Sequence, residues 1–127
     1  MTYEPALGSP KVLVVEDDDE LRAAVASCLS RAGFAVTPVA TGADAVEAAR
    51  TVHPDAVVID VMLPDAGGVG VAREVRRQPD LEAVPVLFMT ALSLPSVRTL
   101  LAPAPVLFKP FTRLQLLTSV RGVTRAA

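Results

Sequence analysis

Two short apolar runs, Val12-Leu13-Val14-Val15 and Ala56-Val57-Val58-Ile59, each end in carboxylates: Glu16-Asp17-Asp18 follows the first and Asp60 the second. A continuous apolar run of this length, rich in β-branched residues, suits a parallel strand covered on both faces, in contrast to the alternation expected of a half-exposed one. Between such runs the period changes. Leu21, Val25, Cys28, Leu29 and Ala32 recur at helical spacing until Gly33, which predicts an amphipathic helix closed by a glycine.

The rest of the chain repeats this alternation. Lys11 to Val15 reads as the first strand and Phe34 to Ala40 as the second, with Pro38 arguing for an edge position because it cannot donate a ladder hydrogen bond. A helix follows from about Thr41 to Arg50, and His53-Pro54-Asp55 turns the chain into the third strand, Ala56 to Asp60. Gly67 and Gly68 break the chain before a helix over Val69 to Arg77; Val84 to Met89 supplies a fourth strand ending at Thr90. A short helix around Ser96 to Leu101, interrupted by Pro103 and Pro105, precedes a fifth strand at Val106 to Phe108 and a last helix from Phe111 to about Arg121.

Alternating βα units predict an α/β fold: a five-stranded parallel sheet with right-handed crossovers and helices on both faces, a flavodoxin-like (βα)5 three-layer sandwich with strand order 2-1-3-4-5. In that order the sheet reverses direction between strands 1 and 3. Ligands gather at the carboxyl ends of strands at such a point, which is where Glu16, Asp17 and Asp60 fall.

Composition narrows the picture. At 127 residues the chain fits one domain, expected over 11–123, with a flexible leader over 1–10 and a tail over 124–127. The hydrophobic fraction of 51% with 4% aromatics calls for a core of Val, Leu and Ala. A net charge of −2 gives no reason to expect direct nucleic-acid binding, and no apolar stretch reaches the ~18 residues of a membrane span. The single cysteine, Cys28, rules out an internal disulfide and makes a cytoplasmic location the expectation; on an apolar helix face it reads as a small core residue. His53 reads as surface structure, and Arg73, Arg76 and Arg77 as a solvated basic face.

Carboxylates crowded at one sheet edge repel one another and raise their own pKa values unless a cation neutralises them. Mg2+ takes oxygen ligands at octahedral geometry, so Asp17 and Asp60 can supply carboxylates, with Glu16 acting directly or through water. Thr90 and Lys109, at the ends of strands 4 and 5, put a hydroxyl and an ammonium on the same rim. A carboxylate nucleophile, a cation, a hydroxyl and a lysine are the parts needed to accept a phosphoryl group. Taken singly, the acids could be solvated turns, with Asp18 or Asp19 a helix cap, Lys109 an exposed strand end and Thr90 a β-branched filler. Their joint placement favours the functional reading.

With these residues in order, the chain from about Lys11 to Val123 resembles a response-regulator receiver domain of two-component signalling, the CheY-like family. The resemblance implies an acidic pair at Glu16 and Asp17, a phosphoacceptor at Asp60, a backbone metal ligand at the carbonyl of Met62, a hydroxyl switch residue at Thr90 and a phosphoryl-binding lysine at Lys109. It also matches Pro64 and Gly68 in the loop after Asp60, and Lys109-Pro110-Phe111, where the family has a cis proline. The implied cofactor is Mg2+ or Mn2+. The implied donor is a histidine kinase or histidine phosphotransfer protein, with a downstream protein as output partner and a homodimer as one assembly. The implied protein is not an enzyme in the ordinary sense, although it supports its own phosphorylation and dephosphorylation.

Some positions depart from the family's pattern. Val106 stands where the family usually has Tyr or Phe, and Leu101-Ala102-Pro103-Ala104-Pro105 replaces a glycine-containing turn. An alternative function therefore stays open: a receiver-like constitutive interaction module with weak or no phospho-switching. A third, an aspartate-nucleophile phosphatase, needs a second Asp two residues after the nucleophile, and that position is Met62.

Overall fold

The computed structural model describes residues 8–125. Five strands, β1 (Lys11–Val15), β2 (Ala35–Val39), β3 (Ala56–Asp60), β4 (Val86–Thr90) and β5 (Val106–Phe108), alternate with α1 (Asp19–Arg31), α2 (Gly42–Val52), α3 (Gly67–Arg76), α4 (Val97–Leu101) and α5 (Arg113–Arg125). All neighbours pair in parallel, in the order β2-β1-β3-β4-β5 that the alternation predicts. Pro38 lies on the edge strand β2, where its missing N–H leaves no gap in the ladder.

The apolar runs are buried on both faces, so each strand contributes alternate residues to two cores. Leu13, Val15, Val57, Ile59, Val86 and Phe88 pack with α2, α3 and α4 through Ala45, Ala49, Val71, Val75 and Val97. Val12, Val14, Val58, Leu87 and Met89 pack with α1 and α5 through Val25, Leu29, Leu116 and Val120. Burying a Val or Leu side chain stabilises by about 1.5–3 kcal/mol, so these central strands are the most expensive part of the fold to disturb. Their carboxyl ends are held in place accordingly. The Glu16 N–H donates to the Val39 carbonyl at 3.1 Å, which extends β1 by one residue and seats Glu16 at the buried rim.

Several element boundaries differ from those read in the pattern. α3 begins at Gly67, two residues before the predicted Val69, because the glycine pair starts the helix as well as breaking the strand. Gly67 adopts a left-handed φ of 70°, and the Gly68 N–H returns to the Val61 carbonyl at 2.8 Å. α5 starts at Arg113, after a capping box in which Gln115 N–H donates to Thr112 Oγ1 (3.1 Å) and Thr112 N–H donates to Gln115 Oε1 (2.8 Å). That helix runs on to Arg125, so the tail expected from 124 is helical at its first two residues; 126–127 lie outside the described residues. The expected leader over 1–10 lies outside them as far as residue 7, and the Pro10 carbonyl already joins the sheet by accepting from Ala35 N–H at 2.9 Å. Pro85 and Val84 precede β4 because the strand begins at Val86.

Cys28 is half-buried against the α1/α5 core, and His53 is exposed with a left-handed φ of 51° at the end of α2. Arg73, Arg76 and Arg77 are exposed, as a solvated face requires; at the end of α3, Arg76 also donates twice to the Val84 carbonyl and the C-cap residue Arg77 pairs with Glu74 at 3.0 Å.

Gly68 has the closest backbone approach of the described glycines: a Cβ there would lie 2.1 Å from the Asp60 carbonyl oxygen. Gly68→Ala is expected to destabilise by about 1–3 kcal/mol or more, since backbone must move. Gly70→Ala, whose Cβ would meet only the Ala66 Cβ at 3.6 Å, is expected to be neutral or to stabilise by up to about 1 kcal/mol through helix propensity. Denaturant unfolding of the two variants beside the parent checks both signs.

Candidate functional site

At the carboxyl end of the sheet, three acids come from two strands separated in sequence and adjacent in space. β1 delivers Glu16 and Asp17, and β3, its neighbour, delivers Asp60. One carboxylate oxygen from each lies within 4.8 Å of the others. Glu16 is fully buried and Asp60 is 5% exposed, whereas Asp17 faces solvent.

One ammonium answers the two buried acids. Lys109 Nζ, carried just past β5, donates to Glu16 Oε1 at 2.6 Å and to Asp60 Oδ2 at 2.7 Å. The Met62 N–H donates to the other Asp60 oxygen, Oδ1, at 2.8 Å, which fixes the carboxylate's orientation. The Met62 side chain itself points to solvent and is 58% exposed. The Lys109–Pro110 peptide is cis, as the resemblance leads one to expect. Thr90, fully buried, is tied to the same rim through its backbone, whose carbonyl accepts from Lys109 N–H at 2.8 Å. Its hydroxyl oxygen accepts from Leu92 N–H at 3.0 Å, and no hydrogen bond joins it to the acids among the described residues. The structure thus brings Glu16, Asp17, Asp60, Lys109 and the Met62 main chain together, with the Thr90 hydroxyl turned to its own loop.

Charge is out of balance here. Burial, then the neighbouring Asp60 carboxylate, push Glu16 up to about 7 against the pull of Lys109. Burial also works against ionised Asp60, but its contacts with Glu16, the Lys109 ammonium and the Met62 N–H prevail and hold it below the usual carboxylate range. Burial alone would lower Lys109; Asp60 and Glu16 outweigh it and raise it. Glu16 Oε2 is buried with no hydrogen-bond partner. A buried carboxylate oxygen without a donor is costly, and a hard cation bound by oxygens is a partner that satisfies it. The residues therefore fit a divalent metal: Glu16, Asp17 and Asp60 form an acidic cluster able to hold one.

Three contacts lie outside the residues singled out in the sequence. Arg22 donates to the Glu16 carbonyl at 3.0 Å and to Asp19 Oδ1 at 2.6 Å; the only sequence signal for it is the acid–arginine spacing of three on a helix. Leu92 contributes its N–H to Thr90, a backbone role without a residue signature. The Arg98 guanidinium lies 4.8 Å from the centroid of the Phe108 ring, so the aromatic two residues after Val106 is capped by a cation.

The shift of Glu16 has a consequence for metal-free protein. A carboxyl with a raised folded pKa adds stability that is fully present below its unfolded value of 4.5 and is lost as pH rises through about 7. Asp60 acts in the opposite sense, its contribution being present above 3.8 and lost as pH falls through its lowered folded value. In chelator, unfolding free energy is expected to fall between about pH 5 and 8 in the parent and to fall less in Glu16→Gln, with the difference between the two curves isolating this group.

Comparison with known proteins agrees with this geometry. Residues 12–121 match the family model described as the response regulator receiver domain. The chain is 35% identical over 119 residues to the transcriptional regulatory protein GltR of Pseudomonas aeruginosa, covering 91% of this chain and 49% of that protein. It is 40% identical over 117 residues to the transcriptional regulatory protein CseB of Streptomyces coelicolor, covering 90% and 49%. The chain thus spans about half the length of these curated relatives. Among solved structures, the chemotaxis protein CheY4 of Vibrio cholerae superposes with a TM-score of 0.85 at 28% identity, covering 91% of this chain and 99% of that one. The receiver domain of a sensor histidine kinase from P. aeruginosa, solved with a magnesium ion coordinated in its active-site cleft, gives 0.80 at 30% identity, covering 93% and 99%. Sheet order, acidic rim and family match point the same way: the chain belongs to the response regulator receiver domains, with their flavodoxin-like CheY fold.

Proposed function

We propose that Asp60 is the phosphoacceptor of this receiver domain, taking a phosphoryl group from the phosphohistidine of a histidine kinase or histidine phosphotransfer protein. The observation that carries the reading is the double anchoring of Asp60: its Oδ1 takes the Met62 N–H and its Oδ2 takes Lys109 Nζ, so a buried carboxylate is kept ionised and aimed at the open end of the sheet. In the transfer, a carboxylate oxygen of Asp60 attacks phosphorus, the O–P bond of an acyl phosphate forms, and the P–N bond to imidazole breaks, the histidine nitrogen leaving with a proton from solvent. Lys109, already within hydrogen-bond reach of Asp60, is placed to hold a phosphoryl oxygen. Thr90 contributes by rotating its hydroxyl away from Leu92 N–H toward the new anion. Hydrolysis of the acyl phosphate, in which water attacks phosphorus and Asp60 departs as carboxylate, returns the domain to rest.

Glu16, Asp17, Asp60 and the Met62 carbonyl are the groups we assign to a bound Mg2+ or Mn2+. When bound, such an ion neutralises negative charge that builds on the phosphoryl oxygens. The chain's own part is to keep those acids together and Asp60 ionised. Phosphorylation then alters affinity for a downstream protein through the Thr90 loop, α4 and β5. In the relatives roughly half of the protein lies beyond the matched region, so the output and any homodimer belong to the protein in which this domain works. The receiver domain we assign, expected over 11–123, takes in the whole of α5 as far as Arg125.

A second reading, a constitutive interaction module, is favoured by one observation. Val106 is a buried aliphatic residue and the Phe108 ring on the same strand is capped by Arg98, so position 106 offers no aromatic ring to swing inward when Thr90 moves. The two readings part on whether phosphorylation changes the surface.

Incubation with Mg2+ and acetyl phosphate, read by intact mass, is expected to add one phosphoryl group to the parent and none to Asp60→Asn or to chelated parent. Amide shifts of the labelled protein are then expected to change at Thr90 and along α4. Labelling without any change beyond the pocket selects the constitutive module. No labelling of folded protein refutes the phosphoacceptor assignment.

A further inference from the structure

The loop that carries Glu16 and Asp17 is pinned by a side chain to which neither the proposed transfer nor the cation site assigns a part. Arg22 lies in the first turns of α1 with its side chain 22% exposed. Its Nη1 donates to the Glu16 carbonyl oxygen at 3.0 Å and its Nη2 to Asp19 Oδ1 at 2.6 Å, so one planar guanidinium reaches from the first residue after β1 to the first residue of α1. From the other side, Glu16 N–H is held by Val39. The Asp18 carbonyl accepts from Arg22 N–H at 2.9 Å as α1 begins. Asp18 occupies the N-cap position of α1, yet its side chain makes no capping bond. Asp17 sits between these anchors, exposed, and its carboxylate makes no hydrogen bond among the described residues. Of the three acids it is the one whose position depends on main chain alone: Glu16 and Asp60 are gripped by Lys109, while Asp17 is held only through the loop that Arg22 braces.

We propose that Arg22 is a positioning residue for the acidic site: by bridging the Glu16 carbonyl and Asp19, it sets the course of the main chain at Asp17, and so holds the Asp17 carboxylate in convergence with Glu16 and Asp60. The inference rests on reading those acids as a cation site. Its sign sets it apart from a plain charge effect. A guanidinium close to a cation site repels the cation, so through-space electrostatics alone makes removal of Arg22 tighten divalent binding. Positioning makes removal weaken it, and groups that orient metal ligands typically contribute 10–100-fold in affinity. Lysine at 22 keeps the charge but offers one ammonium in place of a fork, so it cannot span both acceptors as the guanidinium does.

The test is a Mg2+ titration of the full chain followed by amide shifts, on the parent, Arg22→Gln, Arg22→Lys and Asp17→Asn, with melting in chelator recorded for each. Expected are a loss of Mg2+ affinity of about tenfold or more in Arg22→Gln and a smaller loss in Arg22→Lys. Acetyl phosphate labelling of Arg22→Gln is expected to return to the parent's extent at saturating Mg2+, a recovery that general damage to the fold would not give. Should Arg22→Gln fail to fold, Arg22→Lys alone decides, because its charge is unchanged and any weakening reports geometry. Unchanged or tighter Mg2+ binding in the folded Arg22 variants, with Asp17→Asn strongly weakened, overturns the inference and leaves the cation site standing. Full Mg2+ affinity in Asp17→Asn overturns the reading of the site itself, and the inference with it.

Discussion

Lys109 bridging Glu16 and Asp60 is the interaction on which the rest of the active edge depends. Two buried carboxylates would otherwise face each other in a low-dielectric setting, where the simplest relief is to bind a proton and lose the negative charge. One ammonium relieves only part of that strain. It keeps Asp60 ionised while Glu16 is left with a raised pKa and an oxygen that nothing donates to. The pocket is therefore short of positive charge in a way that a divalent cation is suited to supply. Replacing the acids by apolar residues would relieve the same tension, so this arrangement is better understood as a requirement of chemistry than of stability.

The fold makes this arrangement possible by rigidity elsewhere. Strands buried on both faces leave no freedom for β1 and β3 to slide, since a one-residue slip would turn every side chain to the opposite core. The carboxyl ends of those strands are then fixed points. Close packing of Gly68 against the Asp60 carbonyl and the return of its N–H to Val61 lock the segment after Asp60. The β1–α1 turn, by contrast, has no side-chain cap and relies on the Arg22 fork. The far rim is held more loosely: residues 91–96 are all exposed and α4 has Val97 as its one buried residue. That is the edge free to respond to a charge in the pocket.

Much of this could be read from the chain because burial leaves a one-dimensional trace. Apolar runs ending in acids announced two central strands and the site at their ends, and Pro38 marked the edge strand. What escaped was set by hydrogen bonds that leave little trace. The start of α3 at Gly67 depends on a left-handed φ, and the start of α5 at Arg113 on a reciprocal Thr112–Gln115 cap. Arg22 read as one more polar residue on a helix because its acceptor is a main-chain carbonyl. The capping of Phe108 by Arg98 joins a strand to a helix across the proline-rich segment, and no periodicity connects them. The orientation of the Thr90 hydroxyl toward Leu92 is likewise a property of the loop, absent from the residue types.

At this edge the folded chain gathers three acids able to hold a divalent cation. Unfolding free energy measured against Mg2+ concentration at neutral pH, for the parent and for Asp17→Asn, tests it without any phosphodonor. The parent is expected to gain about 1.4 kcal/mol for each tenfold increase in Mg2+ above its dissociation constant, while Asp17→Asn gains much less over the same range. Stability of the parent that is flat in Mg2+, or a rise of equal slope in the variant, would contradict it.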